Sequence, residues 1–237
     1  MCGYNVLVKI KMLHETKVMK MLKKSITKDK PAMPVYTPME ELLNTLSHGV
    51  GALLAIWGVI ALVIKNCGDK RSLPGILIYG ATLFTLYSVS SIYHALPAGN
   101  LKSMFRKFDH CSIFLLIAGT YTPLCMNYIT ETAGTVVLLT VWAVAVVGII
   151  LNLIDVNKFS KISMVCYLVM GWSVVFISKP AMRCLSYPQL QWLFIGGIFY
   201  SVGAVLYVIG KKVKYIHFIW HLFVLTGSIC HYQVLVI

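Results

Sequence analysis

Charged residues are sparse along this chain, and their spacing divides it. Seven stretches contain no Asp, Glu, Lys or Arg: residues 42–64, 72–101, 110–130, 132–154, 162–178, 184–210 and 215–237. They are 17 to 30 residues long and together cover 164 of the 237 positions. A helix that crosses a bilayer needs about 20 predominantly apolar residues, because its backbone hydrogen bonds must close inside the segment. The pattern therefore predicts an all-α integral membrane protein. Its seven-transmembrane-helix bundle occupies residues 41–237, with spans near 42–64, 73–96, 110–130, 134–154, 162–179, 189–210 and 215–236. Residues 1–40 precede it as a basic tail.

Composition agrees: 58% of residues are apolar and 12% charged, against about 25% charged in soluble domains. A soluble enzyme and a nucleic-acid-binding module are excluded, although the net charge of +13 would suggest the latter in a soluble chain. The placement of that charge gives a topology instead. Sixteen of the 21 Lys and Arg residues fall before the first span or in the loops after the second, fourth and sixth. The other side carries only Lys65, Lys70, Arg71, Lys179 and Arg183. Excess Lys and Arg marks the cytoplasmic face, so the N-terminus is expected in the cytoplasm and the C-terminus outside. The expected location is the cell membrane, as a multi-pass protein.

The first 40 residues alternate Lys with single apolar residues and lack the apolar core of a cleaved signal. Up to Lys24 they are compatible with a basic amphipathic surface helix; a mobile tail is the preferred expectation, with Pro31, Pro34 and Pro38 as a stiff connector. Seven scattered cysteines with no Cys-x-x-Cys pair argue against a disulfide framework or a thiolate metal site. Short loops predict antiparallel neighbours, and Pro123 and Pro180 are expected at kinks or helix ends.

Ionisable residues within spans carry the functional information. By the derived topology, His48, Ser90, His94, Asp109, His110, His217 and His221 all lie near the cytoplasmic ends of four different spans. His231 is the exception, about 15 Å further along the seventh span at 1.5 Å per residue. Residues four apart share a helix face, so His217 and His221 can grip one ion, and Ser90 and His94 have the same spacing. Three imidazoles with an open position form the pattern of a catalytic zinc site. Asp109, expected at the start of the third span, can accept a proton from a water acidified by the metal. Each residue also has a plainer reading. Interfacial histidines bond headgroups or carbonyls, Asp109 can pair with Arg106 and Lys107, and Ser90 can bond its own helix. His48 and His110 are read as packing or interface residues and are left out of the ligand set.

Four segments carry a family resemblance: E-E-L-L-N-T-L-S-H-G-V-G-A (40–52), S-S-I-Y-H (90–94), F-D-H-C-S-I-F-L-L-I-A-G-T-Y-T-P (108–123) and H-F-I-W-H-L-F-V-L-T-G-S-I-C-H (217–231). Through them the chain resembles the haemolysin-III family, the bacterial branch of the progestin and adipoQ receptor superfamily, from Glu40 to the C-terminus. The resemblance implies seven helices, an internal N-terminus and a zinc near the cytoplasmic face. By likeness to the adiponectin receptors, the ligands are His94, His217 and His221, with Asp109 contacting the metal through water and Ser90 beside it. The long basic N-terminus departs from the compact bacterial pattern.

The superfamily is also similar to alkaline ceramidases. That likeness implies a zinc-dependent hydrolase of a lipid amide or ester, with Asp109 as general base and Ser90 holding the oxyanion or the water. The competing expectation is non-enzymatic: a channel-forming cytolysin, or a lipid-sensing receptor with structural zinc. Rows of charge or amide groups along a wide aqueous pore are missing from the spans, which disfavours a monomeric channel. Membrane lipids are the expected partners; no nucleic-acid partner is expected.

Overall fold

The first helix begins where local chemistry can start one. Thr37 accepts from the Glu40 backbone N–H while the Glu40 carboxylate accepts from the Thr37 N–H at 2.9 Å, and Pro38 supplies a preset φ at the first helical position. Pro38 thus belongs to the helix and not to a connector before it. The computed structural model describes residues 35–210 and 212–237; the expectations for the basic tail through residue 34 lie outside the described residues.

Seven helices long and apolar enough to span a membrane follow one another: α1 Pro38–Lys65, α2 Leu73–Ala95, α3 Asn100–Tyr128, α4 Thr132–Asp155, α5 Ser160–Cys184, α6 Tyr187–Gly210 and α7 Ile216–Val236. The described residues contain no strand. This is a multi-pass membrane protein. Apolar side chains such as Leu53, Trp57, Leu139, Phe176 and Phe194 are exposed around the bundle, as expected where lipid takes the place of water as solvent.

The main difference from the sequence pattern lies at α3. It starts at Asn100, ten residues before the charge-free stretch, so Asp109 and His110 sit in its third turn and not at its entrance. Helical hydrogen bonding is indifferent to charge, and the side chains find partners. Lys102 reaches the Glu41 carboxylate at 2.7 Å, Arg106 the Asn157 side chain at 2.8 Å, and Lys107 the Leu153 carbonyl at 2.8 Å. Pro123 closes the α-helical part of α3, and a π-helical turn, Leu124–Tyr128, continues it.

Helix α5 changes to 3-10 geometry at Trp172–Ile177. The Tyr121 hydroxyl spans the break, donating to the Gly171 carbonyl and accepting from the Val174 N–H, both at 2.8 Å. Pro180 lies in the short last segment, Ser178–Cys184.

Each helix packs on its chain neighbour, and α7 returns to α1 to close the ring, with few contacts along the α5–α6 seam. Close crossings need small residues. A Cβ at Gly51 on α1 would meet the Tyr87 ring of α2, and one at Gly148 on α4 would overlap the Phe114 ring of α3. Two apolar clusters fill the interior. One is built on Phe114, Val141 and Met170 from α3, α4 and α5, the other on Leu62, Tyr87 and Val224 from α1, α2 and α7. The polar residues discussed next gather at the Lys/Arg-rich end of the second cluster.

Candidate metal centre

Helices α1, α2 and α7 meet where α7 begins. Tyr215 caps α7 in a left-handed conformation (φ 63°), and its backbone N–H donates to the Glu40 carboxylate at 2.8 Å. The start of α7 is thereby fastened to the first turn of α1. His217 and His221 follow, one turn apart, and His94 enters from the last turn of α2. The ligating nitrogens of these three buried histidines lie within 4.8 Å of one another. The structure brings together the three residues that spacing and resemblance select.

Hydrogen bonds fix which nitrogens are available. His94 Nδ1 lies 2.6 Å from Glu41 Oε2. A carboxylate only accepts, so Nδ1 carries the proton and Nε2 keeps its lone pair. The Asn44 amide stands 3.4 Å from the same Nδ1. At His221, Nδ1 is 3.1 Å from Ser47 Oγ, whose own proton goes to the Asn44 carbonyl at 2.9 Å. The hydroxyl therefore accepts from His221 Nδ1–H, and His221 Nε2 is left buried with no hydrogen-bond partner. His94 Nε2 in turn faces His217 Nε2 at 3.4 Å.

These features fit a metal ion. Two imidazole nitrogens bound to one tetrahedral zinc at about 2.0–2.1 Å stand roughly 3.4 Å apart, which is the His94–His217 separation. A cation also resolves the otherwise unpaired lone pair of His221, and a carboxylate behind a ligating histidine is the usual outer support of such a site. Three imidazoles suit zinc and several other divalent metals.

An aromatic wall surrounds the group. Tyr36 lies 4.7 Å from His217 and 5.7 Å from His94 between ring centroids, and Trp220 packs on both His217 and His221. Tyr36 precedes α1. Burial, then neighbouring Tyr93, Tyr207, Glu41 and Asp109, push its hydroxyl well above the ordinary tyrosine pKa.

Asp109 is buried within electrostatic reach of Tyr36. Its carboxylate is 3.8 Å from His110 Nδ1, and it lines a mostly apolar cavity of about 130 Å³ together with His48, His110, Tyr207 and Trp220. Ser90 sits one turn before His94; its Oγ is buried without a partner and does not bond its own helix. His110 donates from Nδ1 to the Arg106 carbonyl at 2.9 Å, and its Nε2 pairs with the Tyr207 hydroxyl at 3.1 Å. His231 lies apart, at the junction of this cavity with a second one between α5 and α6.

Glu41, Asn44 and Ser47 of α1 support the site without having been singled out from the sequence, and His48, read there as packing, stacks on His221 beside them. Their signal was present as polar positions three and four apart, a single stripe on an otherwise apolar helix. Glu41 also connects outward through Lys102, which bonds the Leu96 carbonyl at 2.9 Å as well.

Comparison with known proteins agrees with this architecture. The chain is 38% identical to the hemolysin-3 homolog of Bacillus subtilis over 196 residues, 82% of this chain and 92% of that protein. It is equally identical to hemolysin-3 of Bacillus cereus over 191 residues, 80% and 87% of the two chains. A more distant similarity, 26% over 218 residues, reaches the adiponectin receptor protein of Drosophila melanogaster, covering 80% of this chain and 48% of that one. Residues 36–232, nearly the whole described bundle, match the haemolysin-III related family, and the chain belongs to that family.

Proposed function

We propose that this protein is a zinc-dependent intramembrane hydrolase acting on a lipid amide or ester. The observation that carries the reading is the convergence of His94, His217 and His221, with the tautomers of His94 and His221 set by Glu41 and Ser47. It occurs beside a mostly apolar cavity that is lined by the Asp109 carboxylate and by His48, which stacks on His221. Zinc held by the three histidines would supply a Lewis acid and lower the pKa of water to about 7.

The chain's own residues supply the rest. Glu41 and Ser47 hold two imidazoles in the orientation and protonation state that ligation needs. Asp109 is the general base, and its low-dielectric surroundings strengthen every charge interaction it makes during proton transfer. Ser90, whose hydroxyl has no other partner, donates to the carbonyl oxygen as negative charge develops there. The apolar cavity wall, with Ile113, Leu116 and Ile117 of α3, takes the acyl chain and excludes water.

The Bacillus relatives are named hemolysin-3, which supports membrane lysis as a second reading. The two separate on Asp109. Elemental analysis of detergent-purified protein should find about one zinc per chain in the wild type and in Asp109→Asn, and none in His217→Ala/His221→Ala. A panel of lipid amides and esters should release fatty acid with the wild type and at least about 100-fold more slowly with Asp109→Asn. Absence of metal from the zinc-supplied wild type, or full activity of Asp109→Asn, overturns the hydrolase; vesicle leakage that survives both variants supports lysis.

A further inference from the structure

His48 is one of the most deeply buried residues in the bundle, 1% exposed, and neither of its ring nitrogens has a hydrogen-bond partner. A neutral imidazole carries one donor and one acceptor. Leaving both buried and unpaired is costly, and the His221 backbone, the one polar chain group that interacts with the ring, can serve at most one of the two. The ring is held firmly all the same. It stacks face to face on His221, with centroids 3.6 Å apart and planes 8° from parallel, and takes the Tyr87 ring edge-on at 5.1 Å.

That stack decides what His48 can do. Imidazole lone pairs and N–H bonds lie in the ring plane. An ion bound in the plane of His221 therefore stands about one stacking layer, 3.6 Å, off the plane of His48, and His48 cannot ligate it. What His48 does reach is the cavity that it lines together with Asp109, Leu86 and Trp220. A full partner for the ring's remaining nitrogen can come only from whatever fills that cavity, one layer away from the candidate metal position.

We infer that His48 recognises a hydroxyl on a neutral lipid amide, adjacent to the carbonyl presented to the metal centre. The inference rests on the lipid-amide reading above and adds the head-group chemistry. A hydroxyl both donates and accepts, so it satisfies a neutral imidazole on either nitrogen. An anionic head group is disfavoured because the Asp109 carboxylate lines the same space. The rest of the cavity wall, Ile113, Leu116 and Ile117 among it, is apolar and suits the chain.

The test uses two probes that differ only by hydroxyl against methyl: N-hexadecanoylethanolamine and N-hexadecanoylpropylamine. Both are tritiated and bound at equilibrium to the full-length protein in detergent, and the ligand is recovered intact and counted. Wild type should bind the ethanolamide at least about tenfold tighter, the usual consequence of leaving a buried polar group unpaired against the methyl analogue. His48→Phe keeps a planar ring on His221 and should bind both probes equally while retaining its zinc. His48→Leu is a second apolar replacement should the first fail to fold.

Equal binding of the two probes by wild type, or binding of neither, overturns the inference. So does a preference that persists in the His48 variants. Hydrolysis is scored separately. A protein that prefers the ethanolamide through His48 yet cleaves no amide or ester leaves the contact standing and removes the hydrolase reading.

Discussion

Glu41 is the residue on which support for the centre can be tested most sharply. Its two carboxylate oxygens are divided: Oε2 takes His94 Nδ1 at 2.6 Å and Oε1 takes Lys102 Nζ at 2.7 Å. Loss of an outer hydrogen-bond partner of a ligating histidine costs about 10–100-fold in metal affinity, equivalent to roughly 1.4–2.7 kcal/mol. Glu41→Gln keeps an oxygen for His94 but no charge, and should lie near tenfold. Glu41→Ala removes the acceptor and should approach 100-fold.

Lys102, with 8% of its side chain exposed, loses its counterion in both variants but keeps the Leu96 and His94 carbonyls. The accompanying loss of fold stability should therefore fall short of the about 3–5 kcal/mol of a fully buried broken pair. Lys102→Met is the control: it breaks the ion pair, leaves the Glu41–His94 bond, and should hold zinc within about threefold of wild type. Affinity is read by titrating detergent-purified protein against a zinc chelator of known strength. If Glu41→Ala binds within about twofold of wild type, Glu41 does not support His94 and the tautomer argument fails there.

Three further outcomes are expected. Zinc restored to chelator-stripped protein at 100 times its Kd should stabilise the fold by about 2.7 kcal/mol, seen as a higher melting temperature, and His221→Ala should show no zinc-dependent shift. Ser47→Ala should weaken zinc about tenfold in the same titration by removing the acceptor for His221 Nδ1–H, whereas Ser47→Thr, which keeps the hydroxyl, should not. Gly148→Ala drives a methyl into the fully buried Phe114 ring and should cost about 1–3 kcal/mol in thermal unfolding, partly recovered by Phe114→Leu.

The fold was legible because lipid imposes a simple rule: a spanning segment cannot carry many charges, so each span shows as a gap between them. The rule marks the apolar part of a helix and not its ends. Asn100–Tyr128 begins among Lys102, Arg106 and Lys107 because long basic side chains reach polar partners without leaving the helix, which places Asp109 deeper than the charge pattern suggested. The three clustered histidines were legible from four-residue spacing and a common depth.

Their supports were not. Glu41 precedes the first charge-free stretch and reads as a border residue, yet its partner His94 is 53 positions away. Only the crossing of α1 and α2 brings them together. His48 was set aside as packing, which its stacking on His221 partly satisfies; its two unpaired nitrogens become visible only once every neighbour is placed.

The adjacent glutamates at the start of α1 have a consequence for how the chain is made. Glu40 binds the backbone at the head of the last helix, and Glu41 binds the histidine of the second. A nascent chain that has threaded only its first two helices can pair Glu41 with His94 but offers a single imidazole. The remaining two arrive only with the seventh helix, at residues 217 and 221. The three-histidine group is thus complete only after α7 has joined α1 and α2. A chain whose seventh helix is missing or misthreaded would lack the group, so metal binding at these histidines would report complete membrane insertion.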